Sequence, residues 1–218
     1  MAIVFINYME ISKIYLILNR ALEGYTIPLA EQIQVKTKKP FFVLVGAMLS
    51  SRTKDEVTAK VCDRLFTRVK SFKDIREIDV EELEKLVYGV GFYRTKAKNL
   101  KKMAESTDRV PDNIDELVEL SGVGRKTANL VVSVAFNKPA ICVDTHVHRI
   151  MNRIGYIRTK TPEKTEFTLR KKLPKELWQQ TNYLFVILGQ NICAPISPFC
   201  SKCPIEKECK KVNVTIKR

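Results

Sequence analysis

The chain has 218 residues, 45% hydrophobic and 28% charged, with a net charge of +14 and an isoelectric point near 9.5. That is enough chain to bury a core in one domain or two, and the composition is that of an ordinary globular protein. The excess of Lys and Arg, spread along the chain, points to a polyanionic partner rather than a merely lysine-rich solvated surface.

The apolar start, MAIVFINYMEISKIYLILNR, lacks a basic leading region and is broken by Glu10 and Lys13, so it does not read as a signal peptide. The longest uncharged run, Leu177 to Ser201, holds Gln179, Gln180, Asn182, Gln190 and Asn191, which leaves only YLFVIL truly apolar. No segment approaches a membrane span. The expectation is an intracellular protein, cytoplasmic or nucleoid-associated, in which cysteines stay reduced or bind metal.

Helical periodicity dominates, and no run of alternating strand residues stands out, so the expected fold class is all-α with roughly ten helices. The first covers Met9 to Leu22. PFFVLVGAML, opened by Pro40, reads as a buried helix. Lys54 to Val69 is amphipathic, with Val57, Val61 and Leu65 at four-residue steps. VEELEKLVYGV, Tyr93 to Glu105 and NIDELVEL follow, the last capped by Asp112 or Asn113. SGVG then leads into an apolar helix from Lys126 to Phe136. In VDTHVHRIMNRIG, Val147, Ile150, Met151 and Ile154 share one face. Helices opened by TPEKTE and running from Pro174 to about Asn191 complete the set. From Cys193 onward the chain is rich in Cys, Pro and Lys and reads as irregular.

That tail carries four of the six cysteines, Cys193, Cys200, Cys203 and Cys209, spaced C-x6-C-x2-C-x5-C. Four thiolates this close in an intracellular chain suggest one metal or cluster site rather than disulfides. Spacing alone leaves zinc and a [4Fe–4S] cluster evenly matched. Lys202, Lys207, Lys210 and Lys211 would give the loop a positive face. Cys62 and Cys142 lie in apolar surroundings and read as core residues.

In ELSGVGRKTANL, Arg125 and Lys126 stand in the first turn of a helix, where the dipole favours acids and disfavours cations. The turn Gly122, Val123, Gly124 exposes backbone N–H groups suited to a phosphate. Lys126 is then either a phosphate contact or an amine kept neutral and nucleophilic by the dipole, and local physics weighs the two equally. Asp144 immediately precedes a helix and has a plain reading as its cap. It can also stabilise positive charge at a sugar C1′, and the two roles are compatible. His146 and His148 pack or hydrogen-bond at the same helix start and are not read as metal ligands.

Taken together, LSGVGRKTAN, VDTHVHRI and the cysteine tail resemble endonuclease III, the helix-hairpin-helix DNA glycosylase family with a [4Fe–4S] cluster. LSSRTKDEVTAKV, VGFYRTKAKNL and ELWQQTNYLFVILGQNIC extend the resemblance from Pro40 to Cys209. It implies two helical domains flanking a DNA-binding cleft. Residues 28–138 would form a six-helix barrel with the hairpin; 1–27 and 139–218 would form the cluster domain. It also implies a cluster held by Cys193, Cys200, Cys203 and Cys209 that shapes a basic loop, with Lys202, against the DNA backbone.

The partner implied is double-stranded DNA containing damaged bases or AP sites, met by a monomer. Lys126 would attack C1′ with Asp144 supporting the charge, and β-elimination would cut the strand 3′ to the lesion. Phe92 would be the wedge that replaces a flipped nucleotide. Gly122, Val123, Gly124, Arg125, Thr145 and His146 would contact DNA. Lys126 argues for combined glycosylase and AP lyase activity, because relatives that only remove the base lack a lysine there. Arg52 departs from the family's usual glutamine opposite the flipped base, which bears on lesion range and opposite-base preference. The expected substrate is an oxidised pyrimidine such as thymine glycol. The rivals are a mismatch-type uracil or thymine glycosylase and a non-catalytic helix-hairpin-helix DNA-binding protein.

Overall fold

A computed structural model of the chain describes residues 8–218. Among the described residues all regular structure is helical, with twelve α-helices and two short 3-10 turns. The chain divides into two compact units, residues 28–138 and residues 139–218 joined by the N-terminal stretch to residue 27.

The first unit holds α2 (Leu29–Thr37), α3 (Pro40–Ser50), α4 (Asp55–Arg68), α5 (Phe72–Glu77), α6 (Val80–Leu86), α7 (Tyr93–Ser106), α8 (Ile114–Glu119) and α9 (Arg125–Phe136). Every residue of α3 from Phe41 to Leu49 is buried. A helix apolar on all sides must be surrounded, and α2, α4, α7 and α9 all pack against it. Phe42 meets Phe66 and Phe41 meets Phe72 edge-on, with ring centroids 4.7 and 5.0 Å apart. A Cβ on Gly46 would run into Ile33 Cδ1, so glycine is what lets α2 lie close on α3.

The second unit packs α1 (Tyr8–Ala21), α10 (Thr145–Arg153), α11 (Pro162–Lys172) and α12 (Trp178–Asn191) round one core. The expected face of α10 is buried: Val147, Ile150, Met151 and Ile154 all belong to that core. Tyr15 and Thr181 share a buried hydroxyl–hydroxyl bond of 2.7 Å inside it, and burial pushes the Tyr15 phenol upward.

Two helices go beyond the roughly ten expected. α2 opens on Pro28, which offers no side-chain cap, and buries only Leu29, Ala30 and Ile33, too few positions to show a period. α5 is six residues long; its signal is the Ser71 cap, which accepts the Asp74 N–H. The helix expected from Pro174 begins at Trp178, after a 3-10 turn at Lys175–Leu177. VEELEKLVYGV is helical only to Leu86, and Gly89, at φ 109, turns the chain toward α7.

Glu31, in the first turn of α2, has a buried Oε2 with no hydrogen-bond partner, and burial pushes its carboxyl up to about 7, with the charge of Asp55 adding to it. The folded state therefore binds this proton more tightly than the unfolded chain. The side chain's contribution is complete below the ordinary value of 4.5 and is lost as pH rises through about 7. Glu31→Gln should gain a few degrees of Tm relative to the parent between about pH 4.5 and about pH 8, the scale of ~1 kcal/mol in a chain this size. Parallel melting across that range would contradict the assignment.

Candidate active site

The hairpin lies in the unit spanning 28–138. α8 is capped by Asn113, whose Oδ1 accepts the Glu116 N–H at 2.9 Å while its Nδ2 donates to Glu116 Oε1 at 2.6 Å. The turn closes with the Val123 N–H donating to the Leu120 carbonyl at 3.0 Å, and Val123 itself is buried. Gly122 sits at φ 81, and a Cβ there would fall 2.8 Å from Asn99. Both conditions require glycine.

Gly124 caps α9 with extended backbone and no side-chain bond, and the space where its Cβ would sit is open. The first amides of α9 thus border an accessible, partly positive helix end. No acidic residue stands in that turn; Arg125 and Lys126 do, the first half-buried and the second exposed.

Arg52 and Phe92 meet beside this hairpin. Arg52 (φ 54) and Phe92 (φ 58) are both left-handed, a costly conformation for side chains of their size. The Arg52 guanidinium lies 5.4 Å from the centroid of the Phe92 ring, which is 63% exposed. Both line a depression of about 240 Å³ with Gly122, Asn99, Thr95 and Lys96. Three residues singled out in the sequence, Arg52, Phe92 and Gly122, are thus brought to one surface by the start of α7. Lys96 and Asn99 were not singled out, although Lys96, unlike the exposed Lys98, falls four and seven residues before the buried Leu100 and Met103.

Asp144 belongs to the other unit and caps α10. Its Oδ1 accepts the N–H groups of both His146 and Val147 at 2.9 Å, while no described residue hydrogen-bonds to Oδ2. One oxygen fixes the side chain and the other is available to a ligand. Thr145 is exposed beside it. Arg149 Nη2 donates to His146 Nδ1 at 3.1 Å, and His148 Nδ1 pairs with Thr165 Oγ1 at 2.7 Å. Burial lowers the His148 imidazole.

The far end of α10 grips the cysteine loop. Arg149 Nη2 donates to the Cys193 carbonyl at 2.8 Å; Arg153 donates to the Ala194 and Pro195 carbonyls at 2.7 and 2.6 Å and to Cys193 Sγ at 3.3 Å. The Lys211 N–H donates to Cys209 Sγ at 3.4 Å. Cys193, Cys200, Cys203 and Cys209 all line one cavity, closed by Ile150 and Phe199. Burial, with the other three thiols adding to it, pushes the Cys203 thiol up to about 11. Among the described residues no three such side chains converge as ligands of a single ion would; the thiols stand round a shared space instead. Four thiols whose ionised forms need positive charge nearby, with N–H donors already aimed at two of them, fit a group held by four thiolates. Lys202 is exposed on the 3-10 turn Cys200–Lys202, while Lys211 is paired with Glu206 at 2.9 Å and adds less to the loop's positive face than expected.

Residues 45–175 match the profile of the HhH-GPD superfamily base excision DNA repair protein. The chain belongs to this family. It is 43% identical over 180 residues to Endonuclease III of Thermotoga maritima, covering 80% of this chain and 84% of that one. Among solved structures it resembles a non-covalent Endonuclease III–DNA complex, with a TM-score of 0.84 and 34% identity over 95% of this chain and 97% of the other. It also resembles a thermostable thymine-DNA glycosylase, with a TM-score of 0.78 and 26% identity over 93% and 95% of the two chains. Among the described residues of this HhH-GPD protein, no helix is long and apolar enough to cross a membrane.

The cap geometry separates two effects at Asp144. Asp144→Ala should cost about 1 kcal/mol of stability by leaving two amides unsatisfied, whereas Asp144→Asn keeps an accepting oxygen and should melt within a few tenths of a kcal/mol of the parent. Equal melting of the two variants would show that the cap is not needed.

Proposed function

We propose that this chain is a bifunctional DNA glycosylase/AP lyase, which excises oxidised pyrimidines from duplex DNA and cuts the strand 3′ to the resulting AP site. The observation that carries this reading is an exposed lysine in the first turn of α9, where the helix dipole disfavours a cation, beside a glycine turn suited to phosphate. The 34% identity to a chain solved with DNA supports the DNA partner. Residues 28–138 supply the hairpin and wedge, the remainder supplies Asp144 and the cysteine loop, and DNA binds as to a monomer.

The Lys126 amine attacks C1′ through its lone pair, and the bond from C1′ to the base breaks with its electron pair leaving on the base. The free Oδ2 of Asp144 stabilises the positive charge that develops on the sugar. One amine proton passes to the departing base; the C1′–O4′ bond then breaks, O4′ takes up a proton, and the nitrogen is left as a protonated Schiff base. This acidifies the C2′ proton; its removal expels the 3′ phosphate. The turn Gly122–Gly124, with Arg125, holds a backbone phosphate. Thr145 and His146, at the start of α10, contact the DNA backbone as well. Phosphate contacts are indifferent to sequence, as an enzyme that searches whole genomes requires.

A [4Fe–4S] cluster on Cys193, Cys200, Cys203 and Cys209 would supply structural rigidity rather than Lewis acidity. Arg149 and Arg153 hold the loop that presents these thiols, and Lys202 faces the backbone of bound DNA.

The reading is tested by borohydride trapping on duplexes bearing thymine glycol, uracil or thymine opposite guanine, or an AP site. The parent should give a covalent adduct and cut thymine glycol duplexes most rapidly. Lys126→Gln should give none, and Asp144→Asn should excise at least about 100-fold more slowly while still binding DNA. Trapping that survives Lys126→Gln rules out the amine; a preference for mispaired thymine favours the substrate of the thymine-DNA glycosylase. Purified protein should be brown, with about four irons per chain. Colourless protein with stoichiometric zinc rules out the cluster.

A further inference from the structure

Lys96 is 8% exposed, on the inner face of α7. Its Nζ donates to the carbonyls of Leu49 at 2.7 Å and Ser51 at 2.6 Å, and to Thr53 Oγ1 at 3.2 Å. Thr53 Oγ1 also accepts the N–H of Gly91 at 3.0 Å. One ammonium therefore ties three points of the segment 49–53 together and, through Thr53, holds the residue that precedes Phe92.

What it holds is strained. Arg52 and Phe92 are both at positive φ, and Gly91 approaches so closely that a Cβ on it would lie 2.7 Å from the Arg52 carbonyl oxygen. Such conformations persist only where the surroundings over-determine them. A plain structural role, capping the end of α3, accounts for the bond to Leu49. It also covers the bond to Ser51, the C-cap residue, but not the bond to Thr53, where Lys96 reaches past the helix end to the side chain that holds Gly91. Burial pushes the ammonium down to about 8, which leaves it charged, with three N–H donors, at neutral pH.

We propose that Lys96 is a positioning residue for duplex opening: it sets the Arg52–Phe92 pair in the shape that fills the gap left by a flipped nucleotide. The proposal rests on the glycosylase/lyase reading, and goes beyond it by assigning the preorganisation of the gap-filling pair to one buried side chain that need not touch DNA. Flipping a base sacrifices stacking and pairing, which a wedge offsets only if it is already in place.

The test compares the parent with Lys96→Met, which keeps the aliphatic stem without the donors, and Thr53→Val, an isosteric change that removes the shared oxygen. Incision is measured on an AP site in duplex DNA and on the same AP site in a single strand, where no gap has to be filled. Fluorescence of 2-aminopurine opposite a non-cleavable abasic site reports unstacking without chemistry. Lys96→Met should lose about 100-fold in kcat/KM on duplex, the scale of a misplaced side chain, with less than about a threefold loss on the single strand. Thr53→Val should lose about tenfold on duplex only, and both variants should lose the fluorescence rise. An unchanged duplex-to-single-strand ratio in the variants, whether activity is kept or lost alike, overturns the proposal. If Lys96→Met does not fold, Thr53→Val decides. A parent that brightens 2-aminopurine but cuts neither substrate removes the lyase reading and leaves the positioning role to be judged on fluorescence.

Discussion

Burial of α3 from Phe41 to Leu49 is the constraint on which the unit spanning 28–138 depends. A helix with no solvent face over nine residues leaves buried carbonyl groups near its end that need donors, even though Ser51 itself reaches the surface. Water does this at an ordinary helix end, and a glycine C-cap does it where the chain can double back. Here the donor is the ammonium of Lys96, brought from α7. The solution to a packing problem thereby fixes the loop that carries Arg52. The same helix, α7, follows directly on Phe92, its N-cap residue, and lies under Gly122 through Asn99. Arginine, wedge and hairpin turn are arranged by the elements that close the core.

The second unit reaches a comparable result with different groups. α10 is fixed at its start by Asp144 and near its end by Arg149 and Arg153. Arginine suits this work because its planar fork meets several carbonyl oxygens at once, which lysine does not do. A short helix held at both ends keeps Oδ2 of Asp144 in a set direction, and it shares that anchorage with the loop bearing Cys193. The cap of α10 and the presentation of the thiols are thus properties of one nine-residue element.

Much of this could be read from residue patterns. Caps at Asn113, Asp144 and Thr161 mark helix starts by the side-chain oxygen that an open amide needs, and each makes that bond. The buried run after Pro40 and the single face of α10 follow from periodicity. α2 and α5 were missed because one lacks a polar cap and the other is too short for a period to show. At the hairpin, the glycines and basic residues were visible in the sequence, whereas the pairing of Arg52 with Phe92 depends on two backbone conformations that neither residue type favours. Lys96 shares a face with Leu100 and Met103, yet a lone lysine on an apolar face gives no sign of the carbonyls of α3 and the loop beyond it that it bonds.

The arginine grip on the cysteine loop acts through carbonyl oxygens: those of Cys193, Ala194 and Pro195 are held by guanidinium groups of α10. Backbone amides take no part in those contacts, and Pro195 has none to offer. The Cys193 and Ala194 amides are bonded elsewhere, to the Leu188 and Ile192 carbonyls at 2.7 and 3.0 Å, so the two sides of these peptides are held by different partners. Amide exchange there will report the backbone bonds, and only probes of the carbonyls or the side chains will sense the guanidinium grip.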